Sequence, residues 1–198
     1  MRDTAVPTPS SDRWHTCARI APLARQAAVA VAGAALITLA AKTQIPFWPV
    51  PMTIQTLAVM GFAVALGPQR AVAIMLTYLA AGAIGLPVFA GTPERGIGLA
   101  YMVGPTGGYL LGYLIAAGLV GVLARGRGAL GTFLAMAAGL VPIYGFGLLW
   151  LAAFVPAGKL LALGVTPFLL GDLVKIALIA LVVDQMPQSL ARRLGRFL

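Results

Sequence analysis

The stretch Leu160–Val183, LLALGVTPFLLGDLVKIALIALVV, carries no charge except Asp172 and Lys175, three residues apart. A charge at mid-helix in a bilayer costs on the order of 2.5–3.5 kcal/mol on insertion scales, and it persists mainly where it faces a bundle interior or a water-filled cavity. On a helix, residues i and i+3 share a face, so this carboxylate and ammonium point the same way and partly neutralise each other. The run therefore reads as a membrane helix with a polar site built into it. An ion pair that merely tethers the helix is the plainer alternative. Intramembrane ionisable residues are functional by default, which favours a site.

Working outward, the whole chain has the same character. It has 198 residues, 60% hydrophobic and only 10% charged, with a mean hydropathy of +0.94. Soluble globular chains carry about 25% charged residues. Charges punctuate the sequence, leaving uncharged runs at 26–41, 43–69, 71–93, 96–124, 128–158 and 160–171, the last continuing past the charged pair to Val183. A membrane helix needs roughly 20 residues, so these runs predict an all-α integral membrane protein, a bundle of six transmembrane helices. Short loops leave no room for a soluble domain.

Basic residues orient the bundle, because short cytoplasmic connections collect Lys and Arg. With the N-terminus inside, Arg2, Arg13, Arg19, Arg25, Arg70, Arg125, Arg127, Arg192, Arg193 and Arg196 all fall on the cytoplasmic side, and only Lys42, Arg95 and Lys159 fall outside. Both termini are then cytoplasmic. The formal charge of +9 reads as topology and contact with anionic lipid; no basic aromatic face accompanies it, so a nucleic-acid partner is not supported. Residues 1–18, with Pro7, Pro9, Ser10 and Ser11, read as a flexible cytoplasmic tail, and 19–198 as the membrane domain. The apolar run that follows lies too late, behind too long a polar segment, for a cleaved signal. The single cysteine and single histidine, Cys17 and His15, lie in the tail, which excludes an internal disulfide and argues against a Cys/His metal site.

Three segments stand out between the helices. The first, Gln44 to Thr56, holds Pro46, Pro49 and Pro51. These prolines cannot continue a helix, so an ordered outer loop is expected, with Phe47 and Trp48 as ligand lid or as interfacial aromatic belt. Thr53 and Gln55 fall at the start of the next apolar run and direct polar groups into the outward side of the bundle. The second runs from Gly85 through Phe89 and Gly91 to Arg95 and Gly96, and the third is Gly104-Pro105-Thr106-Gly107-Gly108-Tyr109. Their glycines suit either an anion-binding helix start or a plain turn with close packing through Gly108 and Gly112. Tyr144, on the uncharged fifth run, reads as core packing more than cavity lining. On the first helix Ala24, Ala28 and Ala32 form a small-residue stripe, for which intramolecular packing is the simplest use.

Taken in order, Gln44–Thr56, Gly85–Gly91, Gly104–Leu110 and Pro167–Lys175 resemble the BioY family, the biotin-specific substrate-capture (S) components of energy-coupling-factor (ECF) transporters. The match is collinear and covers nearly everything from the first helix to the sixth. The resemblance implies a high-affinity subunit in a bacterial plasma (inner) membrane that captures biotin from outside and is not an enzyme. It also implies a transmembrane coupling protein (T component) and two ATPase subunits as partners, with no cofactor or metal. Asp172 and Lys175 match the family's most recognisable motif; Thr53, Gln55, Phe89, Arg95 and Thr106, with Trp48 as lid, are implied as pocket contributors. Gly91 departs from the pattern where some relatives carry a polar amide. The resemblance also turns the Ala24, Ala28, Ala32 stripe into a docking face for the coupling protein.

The chemistry agrees. Biotin's ureido ring offers two N–H donors and one carbonyl, and burying it without partners is costly; Asp172 accepts and Lys175 donates. Arg95 and the Gly-rich backbone would meet the valerate carboxylate nearer the mouth. No G-x-x-x-x-G-K-[ST] segment occurs, so the chain does not hydrolyse ATP by that route. A self-sufficient carrier in which Asp172 is a proton-linked site stays open as the alternative, although residues 20–95 and 100–195 show no internal repeat. A membrane enzyme would need a catalytic constellation that the spans lack.

Overall fold

The structure is a computed structural model that describes residues 12–45 and 48–185. Its elements are α1 (Asp12–Lys42), β1 (Gln44–Ile45), β2 (Met52–Thr53), α2 (Gln55–Leu66), α3 (Pro68–Ala83), α4 (Leu99–Met102), α5 (Gly107–Leu123), α6 (Ala129–Leu151), a 3-10 turn (Ala157–Lys159), α7 (Leu160–Gly164) and α8 (Thr166–Gln185). Among the described residues, three helical segments, Leu23–Lys42, Ala129–Leu151 and Ala157–Val183, are long and apolar enough to cross a membrane. The chain is a multi-pass helical membrane protein.

The six apolar runs do not give six helices of equal length. Run 43–69 is divided between a hairpin and the 12-residue α2, about 18 Å long at 1.5 Å per residue. The proline-rich segment explains this: it takes the antiparallel pairing Gln44↔Thr53 and Ile45↔Met52 and postpones the helix until Gln55. At the other end Gly67, at φ 78°, breaks the chain and Pro68 opens α3 at a first-turn position. Run 96–124 likewise spends its first residues on α4 and a turn before the 17-residue α5. The N-terminal helix begins at Asp12, inside the segment expected as a tail. The remainder of that segment, the side chains of His15 and Cys17, and Phe47 lie outside the described residues.

α5 is the central element, packed on α6, α3 and α2; α1 covers α3 and α2, and α8 closes against α6 and α2. In lipid, helices associate through packing, and small residues let backbones approach. Gly108 and Gly112 do this on α5. A Cβ at Gly108 would lie 2.2 Å from the Phe146 carbonyl oxygen, and one at Gly112 would lie 2.5 Å from the Ile143 Cα. Of the two uses open to these glycines, the structure displays close packing. The core between the helices holds Tyr78, Met60, Ile74, Met75, Met136, Ile143 and Ile176. By contrast Ala24, Ala28 and Ala32 are all exposed. Gly33 instead faces Ile74, so α1 packs inward through another face and the alanine stripe is left open by the described residues.

Candidate functional site

The starts of α2, α5 and α8 and the far half of α6 converge on one cavity, with about 530 Å³ of empty space, mouth included. Its wall includes Thr53, Gln55 and Thr56 from the hairpin and α2, Tyr101 and Thr106 before α5, Tyr109 and Tyr113 on α5, Tyr144 on α6, and Phe168, Asp172 and Lys175 on α8. Because α8 begins at Thr166, Asp172 lies six residues down the helix, about 9 Å below its start.

The charged pair forms as its spacing requires. Lys175 Nζ lies 2.8 Å from Asp172 Oδ1 and also donates to the Thr53 carbonyl at 2.7 Å. Tyr144 donates its hydroxyl to Asp172 Oδ2 at 2.8 Å. Each carboxylate oxygen thus receives one donor from the protein and keeps a lone pair for the cavity, and Lys175 keeps one N–H. The hairpin has a defined part in this: pairing with Gln44 fixes the Thr53 backbone, and Gln55 N–H donates to Thr53 Oγ1 at 3.3 Å.

A second polar group of the cavity wall is Gln55; it is buried, and its Nε2 makes no hydrogen bond of good geometry, its side chain lying beside the Tyr78 hydroxyl. A buried donor left unpaired costs about 1–3 kcal/mol, and in a cavity wall that cost is recovered when a ligand supplies an acceptor. Thr56 and Tyr113 bridge through their hydroxyls at 2.8 Å, and Tyr109 donates to the Gly164 carbonyl at 2.8 Å, which ties α5 to the end of α7.

Beyond the main cavity lies an outer recess lined by Trp48, Pro49, Glu94, Arg95, Tyr101, Gly104, Pro105 and Thr106. Tyr101 and Thr106 border both spaces. Arg95 donates to the Pro49 carbonyl at 2.9 Å, and its guanidinium carbon lies 5.6 Å from the Trp48 ring centre, within cation–π range. The loop after α3 is thereby fastened to the hairpin. Lys42 secures its other side, donating to the Thr92 carbonyl at 2.9 Å and to Thr92 Oγ1 at 2.7 Å.

Asp172, Lys175, Thr53, Gln55 and Thr106 therefore meet around one cavity, while Arg95 and Trp48 stand in the recess outside it. Gly91 packs behind the Arg95 side chain. Phe89 is fully buried; it stacks on Tyr101 at 4.8 Å and meets Tyr78 edge-on at 5.4 Å, so it supports the wall from behind and does not line the cavity. The expectation for Tyr144 is corrected: it lines the cavity and hydrogen-bonds the Asp172 carboxylate. Tyr101, Tyr109 and Tyr113 escaped the sequence reading too. Their signal was available, since a phenol inside an apolar span needs a polar partner, and Tyr109 and Tyr113 lie one helical turn apart.

With this geometry in place the comparisons are decisive about kinship: the family model described as the BioY family matches residues 10–192. The chain belongs to the BioY family. Among BioY family relatives, the probable biotin transporter BioY of Pyrococcus horikoshii is 38% identical over 152 residues, covering 77% of this chain and 90% of that one. The biotin transporter BioY of Thermotoga maritima is 39% identical over 150 residues, covering 75% and 87%. A solved structure described as the S-component for biotin from an ECF-type ABC transporter has the same fold, with a TM-score of 0.70, 23% identity, and coverage of 90% of this chain and 94% of that one. BioY family relatives are named as transporters, not as enzymes.

Proposed function

We propose that this chain is a biotin-capture subunit, a bundle of six membrane-crossing helices with both termini cytoplasmic, that takes biotin from the outer side of a bacterial plasma membrane. The observation that carries this reading is the set of hydrogen-bonding groups in one cavity that the protein does not use up: lone pairs on Asp172, one N–H on Lys175 and the Gln55 amide nitrogen, which has no hydrogen bond of good geometry. A cyclic urea supplies their complement. One of its N–H groups donates to Asp172, and its carbonyl accepts from Lys175 and from the Gln55 amide. Thr56 and Tyr113 edge the ring, and Tyr109 and Phe168 provide apolar walls for the fused sulfur ring. The valerate chain then leads past Tyr101 and Thr106 toward the recess, where Arg95 receives the carboxylate and Trp48 covers it. Phe89 and Gly91 contribute from behind this wall.

Release to the cytoplasm needs energy, and the sequence holds no G-x-x-x-x-G-K-[ST] segment through which ATP would supply it. The reading assigns it to a coupling protein and two ATPase subunits, and gives the exposed Ala24, Ala28, Ala32 stripe to the coupling protein. Close helix approach through small residues supports that assignment. The test is isothermal titration of the detergent-purified lone chain with biotin and then with riboflavin. Biotin-selective binding is expected; its absence in demonstrably folded protein would refute the capture reading.

A further inference from the structure

At the opposite end of α2 and α5 from the cavity lies a second, larger opening of about 860 Å³, lined by Gln26, Val29 and Ala30 of α1, Leu66 of α2, Gln69, Arg70 and Ala73 of α3, and Arg125 just after α5. Two features set it apart from a chance surface furrow. Arg70 of α3 and Arg125 just after α5 approach it from different elements, and neither side chain makes an ion pair or hydrogen bond with another described residue. The Arg125 guanidinium lies against Gly67, where a Cβ would sit 3.4 Å from its Nη2, so it reaches back over the start of α3 while the residue stays exposed. The side-chain amides of Gln26 and Gln69 add donors, and Val29, Ala30, Leu66 and Ala73 add apolar lining.

We infer that this groove binds the phosphodiester of an anionic phospholipid. Arg70 and Arg125 directly follow apolar runs, which places them at headgroup depth, and basic pockets between membrane helices on the cytoplasmic side hold anionic headgroups. A free phosphate would satisfy the cations but make no use of the apolar wall, which suits the first methylenes of an acyl chain. The groove is bounded by α1, α2, α3 and α5, so an occupied site braces α1 against the body of the bundle.

The test titrates the full, delipidated chain in neutral detergent with phosphatidylglycerol, phosphatidylcholine and inorganic phosphate, reading retained lipid by native mass spectrometry and the unfolding midpoint. Phosphatidylglycerol should be retained and should raise the midpoint, and the other two should not. Arg125→Gln, at an exposed position that tolerates the change, should weaken retention about fivefold, and Arg70→Gln with Arg125→Gln about thirtyfold, since each interfacial cation carries a similar share. Arg127→Gln with Lys159→Gln removes the same charge elsewhere and should behave as wild type. Equal loss in the two double variants would overturn the inference, as would retention untouched by the groove variants or an equal response to inorganic phosphate. None of these readouts depends on what the cavity at the other end binds.

Discussion

Replacing Asp172 by asparagine removes one charge and changes almost nothing of shape, which makes it the most informative perturbation of the site. Lys175 Nζ lies 2.8 Å from the carboxylate, with the two side chains 14% and 6% exposed. At an effective dielectric near 20 their direct attraction is on the order of 6 kcal/mol, most of it offset by desolvation. Removing one partner of a buried pair costs about 3–5 kcal/mol because the other charge is left uncompensated. Here the Thr53 carbonyl remains on Lys175, which places the loss at the lower end, about 3 kcal/mol. Binding loses a charge-assisted hydrogen bond of about 1.5–3 kcal/mol, so biotin affinity should fall about ten- to a hundredfold. Adding Lys175→Met to Asp172→Asn removes the stranded charge, while the new side-chain amide oxygen still accepts from Tyr144; the double variant should regain most of the lost stability yet bind no better. Isothermal titration and thermal unfolding of the detergent-purified variants read the two quantities separately. Wild-type affinity in Asp172→Asn would refute the reasoning and leave the pair a tether, and a double variant no more stable than the single one would refute the electrostatic account of the stability loss.

Other expectations follow from individual contacts. Tyr144→Phe removes the donor on Asp172 Oδ2 and should weaken biotin about tenfold while the chain stays folded; unchanged affinity by titration would return Tyr144 to core packing. Gly112→Ala places a Cβ 2.5 Å from the Ile143 backbone and should destabilise the bundle by about 1–3 kcal/mol, seen as a lower unfolding midpoint; no change would mean that α5 and α6 can part freely. Ala28→Trp, on the exposed stripe, should leave biotin titration of the lone chain intact but impair uptake by cells that also express the energising subunits. Uptake equal to wild type would remove the stripe from the docking role.

The membrane class, the apolar runs and the presence of a polar site at Asp172 and Lys175 were legible in the sequence, because each follows from a local property. Charge has a fixed cost in an apolar run, and i and i+3 share a helix face wherever the helix goes. The proline-rich segment was legible as non-helical for the same reason: a missing N–H is a property of the residue itself. What lay beyond the sequence are the relations between segments. The hairpin places the Thr53 carbonyl on Lys175, which is 122 residues distant, and no local pattern encodes that. Tyr144 joins Asp172 only because Gly108 and Gly112 let α5 and α6 approach and set the rotation of α6 toward α8. The same packing divides the predicted pocket contributors, turning Phe89 into a buried support and leaving Arg95 outside with Trp48. Sequence determined which groups needed a polar partner inside the membrane; tertiary structure alone decided which partner each received, because hydrogen bonds depend on ångström-scale separations between helices that packing sets.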